Sequence, residues 1–270
     1  MPDQAQNHAQ SPRNVLVVGG TSGINRGVAE GFARSGARVA VVGRSAAKID
    51  DTVQRLRDLG AEARGFSADV RDPEALAAGV SDLHAAWGEL DVVVSGAAGN
   101  FPALATGMSP NGFRSVLEID LLGSFHVLQA VYPFLVKPGA SVIHISAPQA
   151  ALPMVGQSHV CAAKAGVDML TRTLALEWGP EGIRINSVMP GPIEHTEGMA
   201  RLAPGDESLE AIRASVPLKR LGQVEDIAAA CTFLASASAS FITGVVLPVD
   251  GGWSLGGATL ISDRLAKGLA

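Results

Sequence analysis

Val15, Leu16, Val17 and Val18 run without interruption into Gly19, Gly20, Thr21, Ser22, Gly23 and Ile24. A continuous apolar run rich in β-branched residues reads as a strand buried on both faces, and small residues after it permit a tight turn into a helix. The alternation recurs along the chain. Strands are expected at residues 15–18, 38–42, 63–67, 91–95, 141–145, 184–188 and 245–248. Helices are expected after the glycines, at 46–59, at 73–87, over a long stretch ending near 133, and at 156–178, 209–215 and 224–235. Strands that alternate with helices are joined by right-handed crossovers, which make a parallel sheet covered on both faces.

The expected fold is therefore α/β, a single-domain Rossmann-like doubly wound parallel sheet. With 270 residues, 47% of them hydrophobic, the chain can bury one large core, and no repeat or low-complexity linker divides it. A polar tail is expected over 1–13, the domain over 14–253 and a C-terminal tail over 254–270. Residues 189–206 carry three prolines and little periodicity, so a loop or lid is expected there.

Charge excludes some functions. The net charge of -5 is scattered and leaves no basic stripe for a nucleic acid. No uncharged apolar run approaches the ~20 residues that span a bilayer. Cys161 and Cys231 are too few for a disulfide framework and make no metal-ligand spacing with the histidines, so no metal is expected. Residues 1–10 lack the apolar core of a signal peptide, and Lys267-Gly268-Leu269-Ala270 is not a peroxisomal address. A cytoplasmic location is the expectation.

Residues 19–24 join strand to helix, where a helix N-terminus and close backbone approach suit a pyrophosphate. The second strand ends Val42-Gly43-Arg44-Ser45, with Lys48 one turn further. An NAD site usually places an acid there to accept from the ribose hydroxyls; Arg44 and Ser45 instead donate, which suits the 2′-phosphate of NADP. A solvated arginine is the alternative.

Together with His159-Val160-Cys161-Ala162-Ala163-Lys164, the glycine turn resembles the motifs of the short-chain dehydrogenases/reductases. The resemblance spans about residues 15–253, with informative departures. Asn25 replaces the motif's last glycine. Val160 stands where the family keeps its catalytic tyrosine, Tyr132 being the only tyrosine in the chain, and Ala147 stands where it keeps its serine. The family's active-site asparagine aligns with Asp120, an acid that is costly in an apolar helix unless paired or functional. Neither Val160 nor Ala147 can protonate an alkoxide, which disfavours ordinary ketone reduction.

The paired losses, His159 five places before Lys164, Ala97-Ala98-Gly99-Asn100-Phe101, Glu177-Trp178-Gly179-Pro180 and Pro190-Gly191-Pro192-Ile193 with Thr196-Glu197-Gly198 resemble one branch, the peroxisomal-type 2,4-dienoyl-CoA reductases. That resemblance implies NADPH-dependent reduction of a conjugated acyl thioester, a 2,4-dienoyl-CoA, so the expected partner is an acyl-CoA. Hydride would enter at the distal alkene carbon and water would protonate carbon, so tyrosine is dispensable. By the same resemblance Asp120 and Asp250 hold the water and Lys164 orients the nicotinamide ribose. Asp69 and Val70 meet the adenine, and Pro190, Gly191, Pro192, Ile193 and Thr196 complete the cofactor site. Arg44, Arg71, Phe101, Ser109, Asn111 and Arg201 fall at substrate positions, although Pro110 departs from the branch's aromatic neighbour. A homotetramer through the two long helices is implied as well.

Plainer roles stay open. Asp120 can be a structural carboxylate bonded to Lys164, Asp250 an organiser of the Asp-Gly-Gly turn, Asp69 a cap toward Pro73, Arg71 and Arg201 solvated arginines, His159 an orienting or core histidine, and Cys161 a packing residue. The alternative functions are a non-catalytic nucleotide-binding protein and a carbonyl reductase with Asp120 as replacement acid.

Overall fold

The architecture starts at β1 (Asn14–Val18), where all five residues are buried. It is taken from a computed structural model that describes residues 13–202 and 205–258, without the side chains of 201, 202, 257 and 258. The remaining strands are β2 (Arg38–Gly43), β3 (Ala63–Ser67), β4 (Val92–Ser95), β5 (Ser141–Ile145), β6 (Arg184–Pro190) and β7 (Val246–Val249). They form one seven-stranded sheet in the order β3-β2-β1-β4-β5-β6-β7, and every pairing is parallel. Val15 lies in register with Val39 on one side and Val92 on the other. The order reverses direction between β1 and β4, the topological switch point where such sheets open a crevice.

Successive strand residues feed opposite faces, and both faces are buried. Val15, Val17, Val39 and Val41 pack with Phe32, Ile227 and Leu234 on one face, while Leu16, Val18, Ala40 and Val42 pack with Leu76, Leu83 and Leu128 on the other. The helices are α1 (Gly23–Arg34), α2 (Ala46–Asp58), α3 (Pro73–Trp87), α4 (Pro110–Val116), α5 (Gly123–Val131), α6 (Ser158–Trp178), α7 (Glu197–Leu202), α8 (Asp206–Ser215) and α9 (Val224–Ala235). Close packing of α1 on α9 depends on small residues: an added Cβ at Gly27 would lie 2.5 Å from Val224, and one at Gly31 2.7 Å from Ala228.

Three elements differ from the sequence expectation. The long helix ending near 133 is interrupted by a π-helical turn, Leu117–Leu122, and closes in a 3-10 turn, Tyr132–Phe134. Within it, the Ser124 hydroxyl donates to the Asp120 carbonyl at 2.6 Å. The stretch read as a loop or lid contains α7, whose first turn is capped by Thr196: its hydroxyl accepts from the Met199 N–H at 3.2 Å. A 3-10 segment, Trp253–Ala258, follows β7 where a tail was expected to begin; residues 1–12 and 259–270 of the expected tails lie outside the described residues.

β7 is an edge strand with exposed Pro248 at its third position. Among the described residues, no helix is long and apolar enough to cross a membrane, and no group of three or more His, Cys, Asp or Glu residues could hold a metal ion.

Candidate active site

A cleft of about 720 Å³ opens at the switch point, lined by the β1–α1 turn and by segments following β2, β3, β4 and β5. Gly19 adopts φ 78°, and an added Cβ there would come within 2.9 Å of the Ala97 nitrogen. Gly20 lies behind the cleft wall, where a Cβ would meet the Val17 carbonyl at 2.8 Å. Gly23, at φ 52°, opens α1 with open space where a Cβ would stand. Together with Thr21, Ser22 and Ile24 these residues leave the unpaired N–H groups of the first helical turn beside open space, a cradle that fits a diphosphate. Asn25 has a role of its own: its amide donates to the Gly96 carbonyl at 2.7 Å and occupies the space a side chain at Gly96 would need.

Arg44, Ser45 and Lys48 line one end of the same cleft, and all three are exposed. The Ser45 hydroxyl accepts from the Lys48 N–H at 3.4 Å, which caps α2 and leaves its own proton to donate. At Gly43 a Cβ would meet the Thr21 hydroxyl at 2.9 Å, so the turn is too tight for a carboxylate side chain without movement. Lys48 reaches across the mouth to Glu197, 4.0 Å away. Asp69 and Val70 also line the cleft. The Arg71 guanidinium grips Asp69 at 2.6 and 3.0 Å and holds its carboxyl down at about 2. The cap of α3 is Asp72, which accepts from the Ala75 N–H at 3.0 Å, so that duty does not fall to Asp69.

At the opposite end, the π-helical turn carries Asp120, which is fully buried. Its Oδ1 accepts from the Gly99 N–H at 2.7 Å, and its Oδ2 lies 3.4 Å from Lys164 Nζ. Lys164 Nζ also donates to the Ile145 carbonyl at 3.0 Å. Val160 and Ala147 line the cleft beside this ion pair and bring no hydroxyl. Nucleotide cradle, lysine and acid therefore share one continuous space.

Residues 18–254 match the family model described as enoyl-(acyl carrier protein) reductase. The chain belongs to the short-chain dehydrogenase/reductase family. Among its relatives, a peroxisomal 2,4-dienoyl-CoA reductase of Arabidopsis thaliana is 42% identical over 88% of this chain and 83% of its own length. A probable 2,4-dienoyl-CoA reductase of Bacillus subtilis is 38% identical over 88% of this chain and 95% of its own. Among solved structures, a gluconate 5-dehydrogenase from Burkholderia cenocepacia in complex with NADP and tartrate superposes with a TM-score of 0.83 at 29% identity, covering 90% of this chain and 95% of that one. Short-chain dehydrogenases/reductases use nicotinamide cofactors, and the cleft accommodates that class.

The other expected residues of this short-chain oxidoreductase are dispersed. Asp250 sits in the turn after β7, where its carboxylate accepts from the Gly252 and Ser254 N–H groups, each at 2.8 Å. Burial raises its pKa, but those hydrogen bonds outweigh burial and hold it below the ordinary value. It lines a second cavity of about 480 Å³ with Pro192 and Ile193, apart from Asp120 and Lys164. Pro190 and Gly191 run alongside: a Cβ at Gly191 would lie 2.5 Å from Asp250 Cα. Thr196 lines the main cleft. Phe101 packs against His159 with ring centroids 4.5 Å apart and planes tilted by 54°. Ser109 caps α4 by accepting from the Gly112 N–H at 3.0 Å, and Asn111 is exposed in the same turn. Arg71 is turned to Asp69, and the Arg201 side chain lies outside the described residues.

A buried polar layer behind Lys164 escaped the sequence reading. The Thr171 hydroxyl donates to the Val167 carbonyl at 3.0 Å, so His144 Nδ1 must donate to Thr171 Oγ1, 2.8 Å away. Burial, then the Lys164 charge, pushes His144 down to about 4. Burial likewise raises Asp168, which accepts from the Ser187 hydroxyl at 3.0 Å. The available signal was His144, Asn186 and Ser187 inside otherwise apolar strands.

Proposed function

We propose that this protein reduces a 2,4-dienoyl-CoA with NADPH. The observation that carries the proposal is the Asp120–Lys164 pair, 3.4 Å apart, in a cleft where Val160 and Ala147 supply no acid. Reduction of an isolated ketone needs a proton at oxygen. A conjugated thioester takes its proton on carbon, through an enolate stabilised by hydrogen bonds. The dienoyl-CoA reductase names of the plant and bacterial relatives support the same substrate class.

When bound, the reduced nicotinamide supplies hydride to the distal alkene carbon. Arg44, Ser45 and Lys48 donate to the 2′-phosphate, with Asp69 and Val70 at the adenine end. Lys164, fixed by the Ile145 carbonyl, donates to the nicotinamide ribose. Asp120, anchored by the Gly99 N–H, holds the water whose proton passes to carbon. Asp250 is the second acid that the family pattern assigns to this water; its carboxylate is held by the Gly252 and Ser254 N–H groups in the neighbouring cavity. Phe101 lines the acyl site, while Ser109, Asn111, Arg71 and Arg201 stand at the positions that the family pattern gives to the substrate. The protein works as a homotetramer in the cytosol.

NADPH oxidation with 2,4-hexadienoyl-CoA and 2,4-decadienoyl-CoA, beside crotonyl-CoA and acetoacetyl-CoA and with NADH as control, tests the proposal. Dienoyl-selective turnover with NADPH is expected. Turnover of acetoacetyl-CoA alone would make the protein a carbonyl reductase, and NADPH binding with silence throughout would make it a non-catalytic binder.

A further inference from the structure

Val160 and Ala147 stand in the cleft where the family keeps hydroxyls, and the turn beside Val160 holds polar side chains with nothing to bond. Lys164 Nζ is engaged by the Ile145 carbonyl and Asp120. Next to Val160 in the first turn of α6, His159 is fully buried and neither ring nitrogen has a hydrogen-bond partner. Gln157, 2% exposed, likewise leaves both side-chain polar atoms unpaired. Buried polar groups in folded proteins are overwhelmingly paired, so orphans grouped beside a reaction site call for a ligand that completes them.

A neutral imidazole always carries one N–H and is a competent donor. The His159 ring packs against Phe101 with centroids 4.5 Å apart and planes tilted by 54°, and Phe101 is 36% exposed. The loop that carries Phe101 is strapped to the start of α6 by the Ala103 N–H, which donates to the Gly156 carbonyl at 2.9 Å. The strap ties the backbone of that loop and not the Phe101 ring.

We infer that His159 is the hydrogen-bond donor to the thioester oxygen, covered by Phe101 until an acyl chain displaces that ring. This rests on the thioester reading of the site. His159 surrenders no proton in this role; it stabilises charge that builds on oxygen and is gone once carbon is protonated. Gln157 supports the same oxygen from the adjacent position.

His159→Phe keeps an aromatic ring against Phe101 but removes the donor, and His159→Gln keeps a donor. With 2,4-decadienoyl-CoA, His159→Phe is expected to lose about 10²-fold in kcat, as removal of an oxyanion donor does elsewhere. Its KM, its affinity for NADPH and its melting temperature should stay near those of the unaltered protein, and His159→Gln should recover part of the rate. A rate within about twofold of the unaltered protein for His159→Phe, or equal losses in both variants, overturns the inference while leaving the substrate assignment standing. A protein silent on every thioester overturns the substrate assignment instead. The inference is then decided by the ring ¹⁵N resonances of His159 on titration with octanoyl-CoA: movement at saturation sustains it, and unmoved resonances sink it.

Discussion

Arg44 is exposed at the end of β2, beside a hydroxyl and a lysine and with no carboxylate in the turn. Its charge meets a 2′-phosphate only if the cofactor carries one, so Arg44→Ala should raise KM for NADPH by roughly 10- to 100-fold and leave the weaker use of NADH nearly unchanged. Initial rates with both nucleotides check this. Asp120→Asn keeps the shape of the side chain but removes the charge that faces Lys164. In a dienoyl-CoA assay kcat should fall by about 10² to 10³, while NADPH affinity followed by fluorescence changes little. Both residues could be found in the sequence, one because a strand end is a fixed address and the other because an acid stands out in an apolar helix. Asn25 could not, because its partner Gly96 is 71 residues away and the pair makes sense only when β1 and β4 are neighbours. Asp250 was visible as a residue, but not its placement in a separate cavity.

Elements are legible where their pattern has one period. The strand alternation was legible in this way, whereas the role of polar His144, the fourth residue of β5, was not. The π-helical turn was illegible, because one extra residue in a turn alters neither composition nor the broad apolar face of residues 110–133. That turn is held by the Ser124 hydroxyl on the Asp120 carbonyl. Ser124→Ala should cost about 1 kcal/mol and lower the melting temperature by roughly 2–4 °C, measurable by calorimetry. The His144–Thr171 contact joins β5 to α6 and makes stability depend on pH. His144 is held at about 4 when folded, against an ordinary 6.5. Between these values the unfolded chain binds a proton that the folded chain refuses, so stability falls as pH drops through that window and is flat in this respect below it. The full loss is about 3 kcal/mol. Urea midpoints at pH 7 and pH 4.5 should show it in the unaltered protein, and the drop should shrink in His144→Leu.

At the scale of the whole molecule, Leu122 and Phe125 on one long helical stretch and Met169 and Leu176 on α6 remain 40–82% exposed. Apolar side chains of this size on the two stretches proposed to build the tetramer are expected to be covered by other copies. Light scattering should give a mass of four chains, and Met169→Glu combined with Leu176→Glu should reduce it. The doubly wound class was legible because alternation forces crossovers, whereas the extent of each segment beyond its apolar run, such as β6 continuing to Pro190, depends on neighbours that pair with it. The edge of the sheet carries one last consequence. The Val245 and Val249 carbonyls of the final connection and strand accept from the Ser187 and Gly191 N–H groups, so the backbone of Pro248 between them faces outward. A stray extended chain seeking to lengthen the sheet meets a proline ring there in place of a donor, and the fold thereby carries its own protection against self-templated aggregation.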